Sequence, residues 1–148
     1  MDVHAAVEAP CDAPRLFSLV DDLALYPSWI DLVHDATADA AEPDGPAWRV
    51  ELRARVGPLA RSKRLRMVRT EHRPVDGVVV FERRELDGRQ HSPWILRATV
   101  TSTPAGSGST VAMHLHYGGA LWTGGVLERV LADQISSGSE RLAALASA

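Results

Sequence analysis

The stretch GVLERVLADQISSGSERLAALA, residues 125–146, decides how the rest of the chain reads. At about 100° per residue, Leu127, Leu131, Ile135, Gly138, Leu142 and Leu145 fall on one face, with Arg129, Asp133, Ser136 and Glu140 opposite. The spacing predicts one long amphipathic helix, the only segment able to cover a whole sheet. Gly138 interrupts its apolar face, and Gln134 and Arg141 stand at the edge of the stripe. Either a gap there holds a ligand, or the glycine lets the helix sit close to the sheet.

Upstream, nearly everything from 33 to 121 reads as strands in need of that cover. Trp48, Val50, Leu52, Ala54 and Val56 alternate with Arg49, Glu51, Arg53 and Arg55, the cleanest period-two pattern in the chain. Gly57 and Pro58 then make a hairpin. In the following strand Leu65 and Met67 face inward, which sets Arg64 and Arg66 outside and places Arg61 and Lys63 on the inner face near one end. Residues 78–86 form a strand whose facing stays open, because Val78, Val79, Val80 and Phe81 are apolar on both parities; either Glu82 or Arg83 points inward. Trp94, Leu96, Ala98 and Val100 form the inner row of the next strand. Val111, Met113, Leu115 and Tyr117, alternating with Ala112, His114 and His116, form that of the last. Residues 39–46, 73–77, 87–88 and 104–108 are turns on their Gly, Pro and Asp content.

Before these strands, Val3, Ala5 and Val7 make a short first strand that Pro10 ends. Cys11 or Asp12 can cap a helix with Pro14 in its first turn and Leu16, Phe17, Leu19 and Val20 on its apolar side. A second short helix follows, through Tyr26, Pro27 and Trp29. The order is strand, two short helices, about six antiparallel strands, one long helix. Hairpin-sized connections and one apolar sheet face make this an α+β helix grip of about seven strands.

The length of 148 residues suits one domain, 1–148, with a single core. Lone Cys11 excludes an internal disulfide and a Cys-based zinc site. The N-terminal residues Asp2 and His4 do not suit a signal peptide, and no apolar run is long enough to span a membrane, so a cytoplasmic protein is expected. Charge is uneven. Up to Asp44 there are ten acidic residues against Arg15 alone, whereas 49–73 carries nine basic residues against Glu51 and Glu71. That asymmetry invites a nucleic-acid surface, but the arginines alternate with apolar residues as on a solvated outer sheet face, and no nucleic-acid partner is expected.

Ala9 and Pro10 ahead of the first helix, Asp21 or Asp22 followed by Tyr26, Pro27 and Trp29, and the long terminal helix carry a family likeness. On these features the chain resembles the START-like superfamily, also called SRPBCC, and within it the polyketide cyclase/dehydrase and lipid-transport group. The resemblance implies a curved sheet wrapped around the terminal helix, with an apolar cavity between them and its mouth near the two short helices and the strand-connecting loops. It sets Tyr26 and Trp29 at the entrance and Met67, Trp94, Leu96, Met113, Leu115, Tyr117, Leu131, Gln134 and Gly138 in the walls. The implied function is binding of a hydrophobic or amphipathic small molecule such as a lipid, quinone or polyketide, with no cofactor. The alternative is a polyketide aromatase/cyclase or dehydratase in the same cavity, using Tyr117, Gln134 or an inward arginine for proton transfer.

Bland readings stand beside these. Tyr117 can pack its ring and send its hydroxyl to the edge, and Tyr26 and Trp29 can be core residues around a proline turn. His114 and His116 share a face, with His4 beside them if the first and last strands pair, but they lie on the outer parity and no metal is expected. Gly118, Gly119, Gly124 and Gly125 lack the lysine and hydroxyl of a phosphate loop. Cys11 has no nameable base and reads as a cap or packing residue.

Overall fold

The computed structural model describes residues 2–56, 58–104, 108–118 and 126–147, with side chains described for all of these except 56, 126–128, 130–132, 135 and 136. Strand β1 (Asp2–Ala9) is followed by helix α1 (Ala13–Val20) and a 3-10 helix (Leu23–Ser28). Strands β2 (Val33–Glu42), β3 (Gly45–Val56), β4 (Leu59–Arg73), β5 (Val78–Arg83), β6 (Trp94–Ser102) and β7 (Ser109–Tyr117) precede helix α2 (Val126–Ser147). The seven strands form one antiparallel sheet in the order β1-β7-β6-β5-β4-β3-β2. Consecutive strands from β2 to β7 are neighbours, and β1 joins the sheet by pairing with β7.

Local chemistry explains the elements that frame the sheet. Asp12, not Cys11, caps α1: its carboxylate accepts the Arg15 N–H at 2.9 Å, and Pro14 sits in the first turn where no donor is missed. Asp22 caps the 3-10 helix in the same way, accepting from the Ala24 N–H at 2.9 Å. Cys11 packs, its backbone oxygen accepting from the Ser109 hydroxyl at 2.8 Å.

Several sequence expectations are sharpened. The turn expected over 39–46 contracts to Pro43 and Asp44, because Glu42 pairs with Gly45 and the ladder runs almost to the tip. The strand expected over 78–86 ends at Arg83. Its facing is now decided: Arg83 pairs with Met67 on the inner side and Glu82 with Val68 on the outer. Val78 and Val80 are buried on the outer face and Val79 and Phe81 on the inner, so the strand carried no parity signal.

A charged residue is buried on the outer face as well. Arg66, only 3 % exposed, donates from Nε to Asp39 at 3.0 Å, from Nη1 to Glu42 and to the Arg84 carbonyl, and from Nη2 to the Ala40 carbonyl at 3.0 Å. It ties the far end of β2 to β4 and to the end of β5. The charge imbalance along the chain is offset only in part: Asp39 and Glu42 meet Arg66, Asp39 also meets Arg49, and beyond the basic stretch Asp44 meets Arg84 and Asp31 meets Arg141.

Helix α2 lies on the concave side, with Gly138, Leu142 and Ala146 buried and Arg129, Asp133 and Glu140 exposed, as the amphipathic pattern requires. The side chains of Leu127, Leu131 and Ile135, and residue Trp122, lie outside the description. Among the described residues no helix is long and apolar enough to cross a membrane.

Candidate functional site, an apolar cavity in the grip

The inner rows of the strands converge on one cavity of about 120 Å³. Its walls come from Val3, Ala5 and Val7 of β1, Val50 and Leu52 of β3, Leu65 and Met67 of β4, Trp94 and Leu96 of β6, and Met113 and Leu115 of β7. Leu23, Tyr26, Trp29, Ile30, Leu32 and Val33, from the 3-10 helix and the segment after it, complete them. Every one of these side chains is hydrocarbon or thioether except the phenol and the two indoles. A dry cavity of roughly 150 Å³ admits benzene, so the space suits one ring-sized apolar group. A whole drug-sized molecule occupies roughly 300–1,000 Å³ and would need the walls to yield.

The polar side-chain atoms of the lining residues are engaged or enclosed. The Tyr26 hydroxyl donates to the Val20 carbonyl at 2.7 Å, and burial, with Asp21 and Asp22 nearby, pushes its pKa well above the ordinary phenol value. It stays protonated and is no base. The Trp29 and Trp94 indole N–H groups have no acceptor and are sealed from solvent. Trp29 lies 4.8 Å from the Tyr26 ring and Trp94 5.3 Å from the Tyr117 ring, so each indole packs on an aromatic neighbour. An unmet buried donor costs about 1–3 kcal/mol, which the burial of two large rings offsets.

The wall positions read from the sequence separate into two groups. Tyr26, Trp29, Met67, Trp94, Leu96, Met113 and Leu115 line the cavity. Tyr26 and Trp29, expected at an entrance, are only 3 % and 2 % exposed and so form interior wall. Tyr117 is buried behind Trp94 and is not part of the lining. Gln134 reaches across to the chain after the 3-10 helix, where its Oε1 accepts the Leu32 N–H at 2.9 Å. Gly138 leaves no gap: a Cβ there would lie 2.6 Å from the Trp29 carbonyl oxygen. Close approach of helix to chain is therefore its role. The Leu131 side chain is outside the description. The expected wall lacked the lining residues of β1, Val50 and Leu52 of β3, Leu65 of β4, and Leu23, Ile30, Leu32 and Val33. The alternation of Val3, Ala5 and Val7 was a usable signal for β1; the run Ile30, Leu32 and Val33, an irregular segment, has no period to read.

On the outer face His4 pairs with His114 and stacks on it, ring centroids 4.3 Å apart. Asp2 accepts from His114 at 2.7 Å and His116 at 3.0 Å, hydrogen bonds that hold its carboxyl below the usual range. Among the described residues no group of three or more His, Cys, Asp or Glu side chains is set to hold a metal ion.

The sequence matches the family model described as polyketide cyclase/dehydrase and lipid transport over residues 1–147. The chain belongs to that family. The START-like domain it forms is similar to a solved protein of Thermus thermophilus, with a TM-score of 0.72 at 16% identity over 99% of this chain and 97% of that one. A START superfamily protein of Mycobacterium smegmatis matches with a TM-score of 0.72 at 15% identity over 99% and 97% of the two chains. A protein of Chromobacterium violaceum matches at 0.69 and 12% identity over the same shares. At these identities the likeness is one of fold. No curated protein is similar enough in sequence to count as a relative. What this START-like domain holds must be argued from its own cavity.

Proposed function

We propose that this START-like domain binds a hydrophobic or amphipathic small molecule, its apolar part enclosed between the sheet and the long helix. One observation carries the reading: among the described residues the cavity wall is hydrocarbon, thioether and aromatic rings whose polar atoms are engaged or enclosed. Apolar burial at roughly 25 cal/mol per Å² then supplies the affinity. A cyclase or dehydratase needs at least two polar groups converging on the reacting atoms. Here Tyr117 lies off the wall, Gln134 is bound to a backbone N–H, and the Tyr26 phenol is held by Val20. Carriage or sequestration is therefore favoured over turnover.

The test is native mass spectrometry of freshly purified protein, with extraction of whatever is bound, alongside titration with the neutral apolar dye N-phenyl-1-naphthylamine. A stoichiometric apolar adduct or saturable dye binding is expected. Ala5→Phe, which fills the cavity from β1, should abolish either one while leaving the circular dichroism spectrum unchanged. A protein of bare sequence mass that takes up no dye sinks the reading.

A further inference from the structure

The inner row of β4 changes character along its length. Met67 and Leu65 line the cavity; Lys63 and Arg61 come next on the same face. The register fixes their side of the sheet. Lys63 is opposite Leu52, itself a cavity wall, and Arg61 is opposite buried Ala54. Residues two apart on a strand stand about 7 Å apart, so the Lys63 side chain begins one step beyond the wall at Leu65. Its ammonium, on a four-carbon stem, can reach the end of the cavity.

What distinguishes Lys63 is a partly buried ammonium on the inner face with no hydrogen-bond or ion-pair partner among the described residues; Arg61 beside it is exposed. Many of the other basic side chains meet carboxylates: Arg49 and Arg66 at Asp39, Arg53 at Glu51, Arg73 at Glu71 and Asp76, Arg83 at Glu85, Arg84 at Asp44, Arg97 at Glu71, Arg141 at Asp31; Arg15 and Arg69 donate to the Leu145 and Asp21 carbonyls. Arg55, Arg64 and Arg129 have no such partner either among the described residues, but like Arg61 they are exposed, where water solvates them. Lys63 is half-buried on the inner face, and no hydrogen bond or ion pair engages it among the described residues. The nearby carboxylate, Glu85, already accepts the Arg66 N–H at 2.9 Å and Arg83 Nε at 3.1 Å. Burial first, and then the neighbouring Arg83 charge, holds the Lys63 pKa below its ordinary value. A half-buried ammonium beside an unpaired Arg61 favours an anion from outside the chain.

Resting on the cavity reading above, we propose that the ligand is an amphipathic acid: its apolar body lies in the cavity and its anionic head, a carboxylate or phosphate, pairs with Lys63 at the cavity's end, next to Arg61. The arrangement orders entry. The longer-range attraction of the two cations acts on the head, and the hydrocarbon wall takes the body. A neutral molecule of the same shape gains the wall but not the ion pair, so the head decides which apolar molecules are kept.

The experiment is a titration, followed by tryptophan fluorescence and calorimetry, with probes sharing one body: 4-phenylbutanoate, 4-phenylbutyl phosphate and 4-phenylbutanol. A charge-assisted hydrogen bond at a partly exposed site should give one or both acids an advantage of about tenfold over the alcohol. That advantage should shrink in 0.5 M salt, taken as roughly three times physiological ionic strength. Which acid binds better identifies the head. Lys63→Met should remove the preference and leave alcohol binding unchanged, whereas Lys63→Arg should keep it. Equal binding of acids and alcohol by the natural protein, or a preference that survives Lys63→Met, overturns the head-group assignment and leaves the cavity reading standing. Failure of all three probes, the alcohol included, overturns both.

Discussion

Tyr26 is the side chain on which the sequence invites most chemistry and the fold allows least. Its ring lines the cavity, but its hydroxyl is held by the Val20 carbonyl, and the residue as a whole is 3 % exposed. Tyr26→Phe leaves that carbonyl buried and unmet. Denaturant unfolding should show a loss of about 1–2 kcal/mol, with the affinity for a neutral apolar probe unchanged. A fall in affinity without a fall in stability would instead put the hydroxyl in the site. Arg66 makes the opposite case, a charge that is structural on a face where the sequence suggests solvation. Removing it as Arg66→Met leaves Asp39 with Arg49 at 3.4 Å and Glu42 with Arg84 at 3.7 Å and strips the Ala40 and Arg84 carbonyls of their donor, and about 1–3 kcal/mol should be lost. Arg66→Lys should restore only part of this, since one ammonium cannot reproduce a planar donor set engaging Asp39, Glu42 and two carbonyls.

Among the elements, α2 shows how a single position sets the depth of a helix. An exposed Gly→Ala change inside a helix gains about 1 kcal/mol. At Gly138 the added methyl meets the Trp29 backbone oxygen, which has no rotamer through which to retreat. Gly138→Ala should therefore lower stability by about 1–3 kcal/mol by forcing helix and 3-10 segment apart, and thermal unfolding is the measurement; a stabilised variant would show that the helix does not sit this close. The neighbouring Gln134 and Arg141 contacts, to the Leu32 N–H and the Asp31 carboxylate, fasten the same seam. β5 carries the complementary lesson. Val78 to Phe81 are buried on both faces of the sheet, which is why residues 78–86 gave no facing.

Taken together, the ion pairs give the domain a direction of pH dependence. The Asp31 carboxyl is held below its ordinary value of 3.8 by Arg141, Asp39 by the Ala40 N–H and then Arg66, and Asp87 by the Arg89 N–H and then His91. Each binds its proton more weakly folded than unfolded, so the stabilisation is complete above the unfolded value and is lost as pH falls through the lower, folded one. The melting temperature should hold steady on acidification to about pH 5 and fall below about pH 4; a melting temperature that rises there would contradict these pairings. Local period was enough for the sequence to determine the class of fold, the covering helix and the inner rows that hold Trp94, Leu96, Met113 and Leu115, while a cavity beside them was expected from the family resemblance. Class, helix and rows follow from alternation within a strand or from a stripe on a helix, which neighbouring residues settle among themselves. The tertiary structure alone decided that Arg83 faces inward, that Gln134 and Gly138 serve the helix seam, that Tyr117 stands behind the wall, and that Lys63 is left without a partner. Each of these depends on which residue from a distant part of the chain arrives opposite, and strand register and helix docking, not periodicity, set that.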